Sequence, residues 1–153
     1  ITRKELERVM DKEVKPALIK SHNLIVADWK NKPEFQARKY ISAERIAVTV
    51  FPTGPGAEIY GYVDQGTKPH IIAAKNAPFL SFKLGYKSKT LAKPARTVSG
   101  GGTSTGPRVY AKLVHHPGSE AREFSKVIAE DILPTFKSSI DNAFRRVSRQ
   151  LEE

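Results

Sequence analysis

Cysteine is absent from this sequence, which removes disulfides, thiolate metal sites and cysteine nucleophiles together. No apolar run approaches the ~18 residues that a membrane-spanning helix needs. The N-terminal segment is charged and periodic and lacks the apolar stretch of a secretory signal, so cytoplasmic synthesis without a membrane partner is the default expectation. The most informative shortage is of acid. The 55 residues between Asp64 and Glu120 contain no Asp or Glu and nine Lys or Arg, so this window carries nine of the chain's net ten positive charges. The remainder is nearly balanced, at 17 basic against 16 acidic residues. One-signed charge repels itself in a compact fold, and its usual use is to face an anionic partner or an oppositely charged neighbour; a solvated basic loop is the plainer alternative.

The 153 residues, 39% hydrophobic and 27% charged, predict one globular domain over 1–153 with a real core. Thr2-Arg-Lys-Glu5 has the form of a capping box, and Leu6, Met10, Val14, Leu18 and Ile25 then recur near helical spacing through Trp29. Pro16 lacks an N–H and crowds the carbonyl four residues back, so a bend or break is predicted at Lys12 to Lys15. From Arg45 the pattern changes to alternation, with Ile46, Val48 and Val50 marking a strand. After the Pro52 to Gly56 turn cluster, a second strand through Ile59 to Val63 is predicted to pair with it, with Gly66 as its stop. Phe79–Leu84 and Val109–Val114 are two further strand candidates. Between them, the polar and glycine-rich stretch from Gly85 to Pro107 predicts a long arm or hairpin carrying Lys87, Lys89, Lys93 and Arg96. Ser119 is placed to cap a final helix, whose stripe of Phe124, Ile128, Ile132, Phe136, Ile140, Phe144, Val147 and Leu151 reads as core. Pro134 predicts a kink near Glu130 or two helices in sequence. The resulting class is α+β: a small antiparallel sheet, a long helix at each end and a basic arm.

Chemistry is sparsely supplied. His115 and His116 point to opposite faces of a strand, and with His22 and His70 they give no converging ligand set, so hydrogen-bonding or turn roles are predicted and no metal or cofactor. Ser99 to Gly106 has the glycines of a phosphate loop without its Gly-Lys-Ser/Thr ending. Glu120 with Glu123, and Glu130 with Asp131, sit among basic neighbours as solvated helix faces would. No nucleophile, base and orienting acid assemble, so an enzyme is not predicted. The basic window could touch phosphates without reading bases; its aromatics Phe79, Phe82, Tyr86 and Tyr110 match no known nucleic-acid signature.

The string from Tyr60 to His70, with Gly66-Thr-Lys-Pro-His70, is followed by Ile71, Asn76-Ala-Pro, Leu80-Ser-Phe82 and then His116-Pro-Gly118 leading into the helix through Phe124. Over residues 57–151 this order resembles the head–tail joining, or tail-completion, neck proteins of siphophages. The resemblance implies a virion structural protein that completes the tail and joins it to the DNA-filled head. It implies a homo-oligomeric ring, a hexamer, assembled in the host cytoplasm, with adjacent neck and tail-tube proteins as partners and DNA passing through the lumen. Gly66, Thr67, Lys68, Pro69, His70, His116, Pro117 and Gly118 would form its scaffold motif, and Lys87, Lys89, Lys93 and Arg96 its partner-contact arm. A tail terminator capping the tube is the neighbouring alternative, and a basic non-specific nucleic-acid-binding module is the alternative from another class.

Overall fold

The Thr2 hydroxyl accepts from the Glu5 backbone N–H at 3.2 Å, which starts helix α1 (Arg3–Val9) where the capping pattern places it. The reciprocal half of the box is missing: the Glu5 carboxylate takes Arg8 at 2.8 Å and Arg146 at 3.2 Å instead. The computed structural model describes residues 2–88, 90–91, 96–97 and 103–152, with backbone alone at 91, 96 and 97. The chain divides into two compact units, one formed by its two ends and the other by Glu58–Phe124.

In the unit formed by the ends, the disturbance predicted from Pro16 takes the form of a π-helical turn over Met10–Val14, closed by the Lys15 N–H on the Met10 carbonyl. Widening the turn by one residue accommodates the proline ring without ending the helix, which resumes as α2 (Lys15–Ile25). α2 stops four residues before Trp29, so the predicted helix is longer than the observed one. The strand at Ile46 is present as β2 (Ile46–Thr53), but its partner is β1 (Glu34–Ile41), which the sequence reading missed. The two pair antiparallel from Glu34 opposite Thr53 to Ile41 opposite Ile46. Phe35, Ala37, Lys39 and Ile41 face inward, a period-two pattern disguised by the lysine. Lys39 uses its stem as apolar surface and delivers its ammonium to Asp11, which also binds Lys15 at 2.7 Å.

The core of this unit joins Val9, Met10, Val14 and Leu18 to Ile128 and Ala143 of α4 (Phe124–Glu152), with Ile41, Ile46, Val48 and Val50 packed against it. α4 is one unbroken helix of 29 residues containing Pro134, so two helices in sequence do not form. Ile128, Ile132, Phe136 and Ile140 pack on the core on both sides of the proline and outweigh its local cost of about 3 kcal/mol. The helix starts at Phe124 and not at Ser119, which corrects the predicted cap. Its stripe is core at one end only: Phe124 is fully buried, whereas Phe144 and Leu151 are exposed.

The Glu58–Phe124 unit corrects a second expectation. Ile59 to Val63 is not a strand but part of α3 (Ala57–Gln65), and Gly66, with φ of 75°, follows the end of that helix. Tyr60 is buried and its ring meets that of Phe124 at a centroid distance of 5.8 Å. An alternating strand would turn Tyr60 and Tyr62 to one face, whereas the helix buries Tyr60 and leaves Tyr62 exposed. β3 (His70–Ala73) pairs antiparallel with β10 (Leu113–His116), and β4 (Leu80–Lys83) with β9 (Arg108–Ala111). The single strand predicted over Val109–Val114 is therefore two, divided at Lys112, and β3 is an addition. The expected hairpin arm is present in its described parts. β5 (Tyr86–Lys87) pairs with β8 (Thr103–Ser104), and β6 (Thr90–Leu91) with β7 (Arg96–Thr97). Every sheet among the described residues has two strands.

Candidate functional site

The two halves of the sequence motif meet. Thr67 and Ser119 form an antiparallel bridge, each backbone N–H donating to the other's carbonyl at 3.0 and 3.1 Å, and their hydroxyls lie 3.0 Å apart. This brings Gly66 through His70 against His116, Pro117 and Gly118 across about fifty intervening residues. Gly118 has φ of 89°, and a Cβ there would run into the Thr67 carbonyl oxygen and stand 2.9 Å from the Lys68 carbonyl carbon. A Cβ on Gly66 would lie 2.5 Å from the Ser119 carbonyl oxygen and 2.8 Å from the Ala121 nitrogen. Both glycines are thus required twice, for conformation and for close backbone approach.

The histidines of the motif finish the knot. The rings of His70 and His116, register partners on β3 and β10, stack at 4.9 Å. His116 Nδ1 accepts from the Gly118 N–H at 3.0 Å, while His70 Nδ1 donates to the Lys68 carbonyl at 2.8 Å. Each imidazole fastens its own turn. His22, which belongs to the other unit, donates to the Leu18 carbonyl at 2.8 Å. Among the described residues no three His, Asp or Glu side chains gather as a metal-binding group.

Beside the knot, Gly66 to His70 and the exposed face of α3 line an open groove of about 770 Å³ with Glu58, Gly61, Tyr62 and Gln65. The Tyr62 hydroxyl donates to the Glu58 carboxylate, which pushes the phenol above its ordinary range and keeps it protonated. Lys68, Pro69 and His70 are exposed at the rim. The groove offers hydrogen-bonding and cationic contacts and no activated nucleophile.

The arm is rooted by a residue that the sequence reading passed over. Arg122 donates from Nε to the Thr90 hydroxyl at 3.1 Å, from a terminal nitrogen to the Ser88 hydroxyl at 3.3 Å and from the other to the Glu120 carbonyl at 2.9 Å. Thr90 is buried at this junction. Nothing in the spacing of Arg122 marks it, because its three acceptors come from segments remote in sequence or from backbone. Ser104 adds a second fastening, donating to the Lys83 and Leu84 carbonyls at 2.9 and 3.1 Å. Of the four predicted contact residues, Lys87 is exposed on β5 and Arg96 lies on β7, while Lys89 and Lys93 fall outside the described residues.

The sheets of this unit present apolar side chains outward. All four residues of β3 are exposed, Ile71 at 58%, and Tyr110, Leu113, Phe79 and Tyr86 are exposed as well. On the β3–β10 ladder, Ile71, Ala73, Leu113 and His115 share one face that is uncovered throughout. No helix among the described residues is long and apolar enough to cross a membrane. Comparison with protein-family models, with curated proteins and with solved structures finds no match for this chain.

Proposed function

We propose that this chain is a structural subunit of a tailed-phage virion, a neck or tail-completion protein that works by burying surface between copies and between neighbouring rings. The observation that carries the reading is the knot. Gly66 to His70 and His116 to Gly118, the elements on which the family resemblance rests, close on each other through backbone contacts. The two histidines spend their Nδ1 atoms on holding turns in place, which are scaffold contacts. Around this rigid point lie two-stranded ladders with exposed apolar faces and a basic arm, which suits a part that is completed by its neighbours.

Lumen-facing or protein-facing use of the arm gives different results. Reversal of Lys87, Lys89, Lys93 and Arg96 to Glu blocks joining of heads to tails if the arm meets a protein. If it meets DNA, the isolated protein binds unrelated duplexes equally and loses affinity steeply as salt rises. We favour a protein partner, because a conduit that grips DNA retards its passage. Deleting the gene tests the assignment as a whole. DNA-filled heads beside separate tails of normal length, seen by electron microscopy of lysates, support it; overlong tails move the protein to the terminator role, and unaltered infectious particles reject the neck.

A further inference from the structure

The β1–β2 hairpin has one open edge whose chemistry is specific. The Ser42 N–H donates to the Arg45 carbonyl at 2.9 Å, which fixes the phase of the ladder. Counting from that pair, Ala47, Thr49 and Phe51 exchange hydrogen bonds with β1, and the backbone groups of Ile46, Val48 and Val50 point to the other edge. No strand among the described residues pairs with that edge. Pro52, the next residue in the same phase, has no N–H to offer there, which is where an edge strand tolerates proline. β2 carries no charge from Ile46 to Thr53. Natural edges are guarded by charge, bulges or proline, and apart from Pro52 at its far end this one is bare.

A trough runs alongside. Two grooves of about 620 and 170 Å³ share Ile46 and Phe136 and so form one depression between β2 and α4, extending along the helix from Ala129 to Asp141. That span is about 18 Å at the helical rise, the length of roughly five extended residues. The Ala129 end is lined wholly by apolar side chains, Ile132 and Leu133 among them. Glu44 and Asp141 line the other end with Arg45 and Lys137, and exposed Glu130 and Asp131 lie on α4 between Ala129 and Leu133. The depression therefore asks for a short extended segment that is apolar along one face; Arg45 and Lys137 balance Glu44 and Asp141, so positive charge is asked for only beside Glu130 and Asp131.

We propose that this edge accepts β3 of a second copy of the chain. β3 is four residues long, exposed at all of them, and its edge away from β10 has no partner among the described residues. It is bracketed by exposed Lys68 and Lys75 inside the window that lacks any acid. Added to β2, it places Ile71 over the apolar floor and one of its bracketing lysines toward Glu130 and Asp131, and the two hairpins become one intermolecular sheet of four strands, β1-β2-β3-β10. Donor and acceptor surfaces differ, so the contact is head-to-tail, the kind from which rings are built. The inference deepens the neck reading, on which it rests for the presence of several copies.

Because the chain has no cysteine, disulfide trapping is clean. Chains bearing Thr49→Cys or Ala47→Cys, on the outward face of β2, are mixed under mild oxidation with tagged chains bearing Ile72→Cys, which faces the same way once Ile71 points inward. A mixed disulfide between T49C or A47C and I72C chains is expected. Val48→Pro, which removes an edge N–H and leaves the β1 ladder alone, should lower its yield about tenfold, as should Lys68→Glu with Lys75→Glu, the scale of a lost charge-assisted contact. The lysines are exposed, so the second variant keeps the test valid if Val48→Pro fails to fold. Oligomers by native mass measurement without any mixed disulfide overturn this pairing and leave the ring standing. A trapped pair in a protein whose deletion leaves heads joined to tails supports the pairing and overturns the neck.

Discussion

Replacing Gly118 with Ala perturbs the knot at its tightest point, and two other glycines supply the scale. Gly54 has φ of 72° and nothing within 4 Å of an added Cβ, so Gly54→Ala isolates the conformational cost, about 1–2 kcal/mol. Gly118→Ala carries that cost and adds a collision with the backbone of Thr67, Lys68 and Pro69, the last at 3.1 Å. That backbone is pinned by the reciprocal Thr67–Ser119 hydrogen bonds, so relief means giving up one or both, at about 0.5–1.5 kcal/mol each. The expected total is about 1.5–5 kcal/mol. Gly61 lies inside α3 with open space around it and no positive φ, and Gly61→Ala should stabilise by roughly 0.5–1 kcal/mol. Urea unfolding of the three variants, followed by far-ultraviolet circular dichroism, should therefore give one gain, one small loss and one larger loss. A Gly118→Ala midpoint no lower than that of Gly54→Ala would refute the interlock.

Phe124→Ala removes a fully buried ring that meets Tyr60, and a loss of about 3–5 kcal/mol in the same assay is expected. Hydrogen bonds from Arg8, then from Arg146, hold the Glu5 carboxyl below its ordinary range, and those from Lys15 and Lys39 do the same for Asp11. Folded-state values that are depressed contribute stability above the free carboxylate range near about pH 4, which is lost as pH falls through them, so Glu5→Gln with Asp11→Asn should flatten the acid limb of the unfolding midpoint against pH. Arg122→Lys keeps the charge but cannot fork to Ser88, Thr90 and the Glu120 carbonyl together, so trypsin should cut at Lys87 several-fold faster while the urea midpoint holds; an unchanged cutting rate would show that Ser104 alone roots the arm.

Much of the fold was legible where local chemistry and burial agree. Thr2 caps, the Ile46 alternation is a strand, and the stripe from Phe124 finds the core through Ile140. The failures have separate causes. Ile59 to Val63 is rich in aromatic and β-branched residues around a glycine, so propensity favours a strand; burial of Tyr60 against Phe124 selects the helix. β1 was hidden because Lys39 occupies an inward position and charged residues interrupt the alternation. Ser119 has the chemistry of a helix cap, but its backbone is taken by Thr67, so the helix waits for Phe124.

The site shows a related asymmetry. Glycine, proline and histidine at the two motif elements were readable as turn residues, because a positive φ or a fixed one restricts what can stand there. Their meeting was not readable from spacing, since the intervening chain has to fold before Gly118 can reach Thr67. Arg122 was invisible for the same reason. Exposed apolar faces leave still less trace: Ile71 and Leu113 follow no pattern that the chain's own core imposes, since nothing within their own ladder covers them. Charge is the exception. It acts over about 10 Å at ordinary ionic strength, so it can be concentrated without a fixed geometry. The acid-free window therefore marks the unit that carries β3 and the arm before either can be seen as structure.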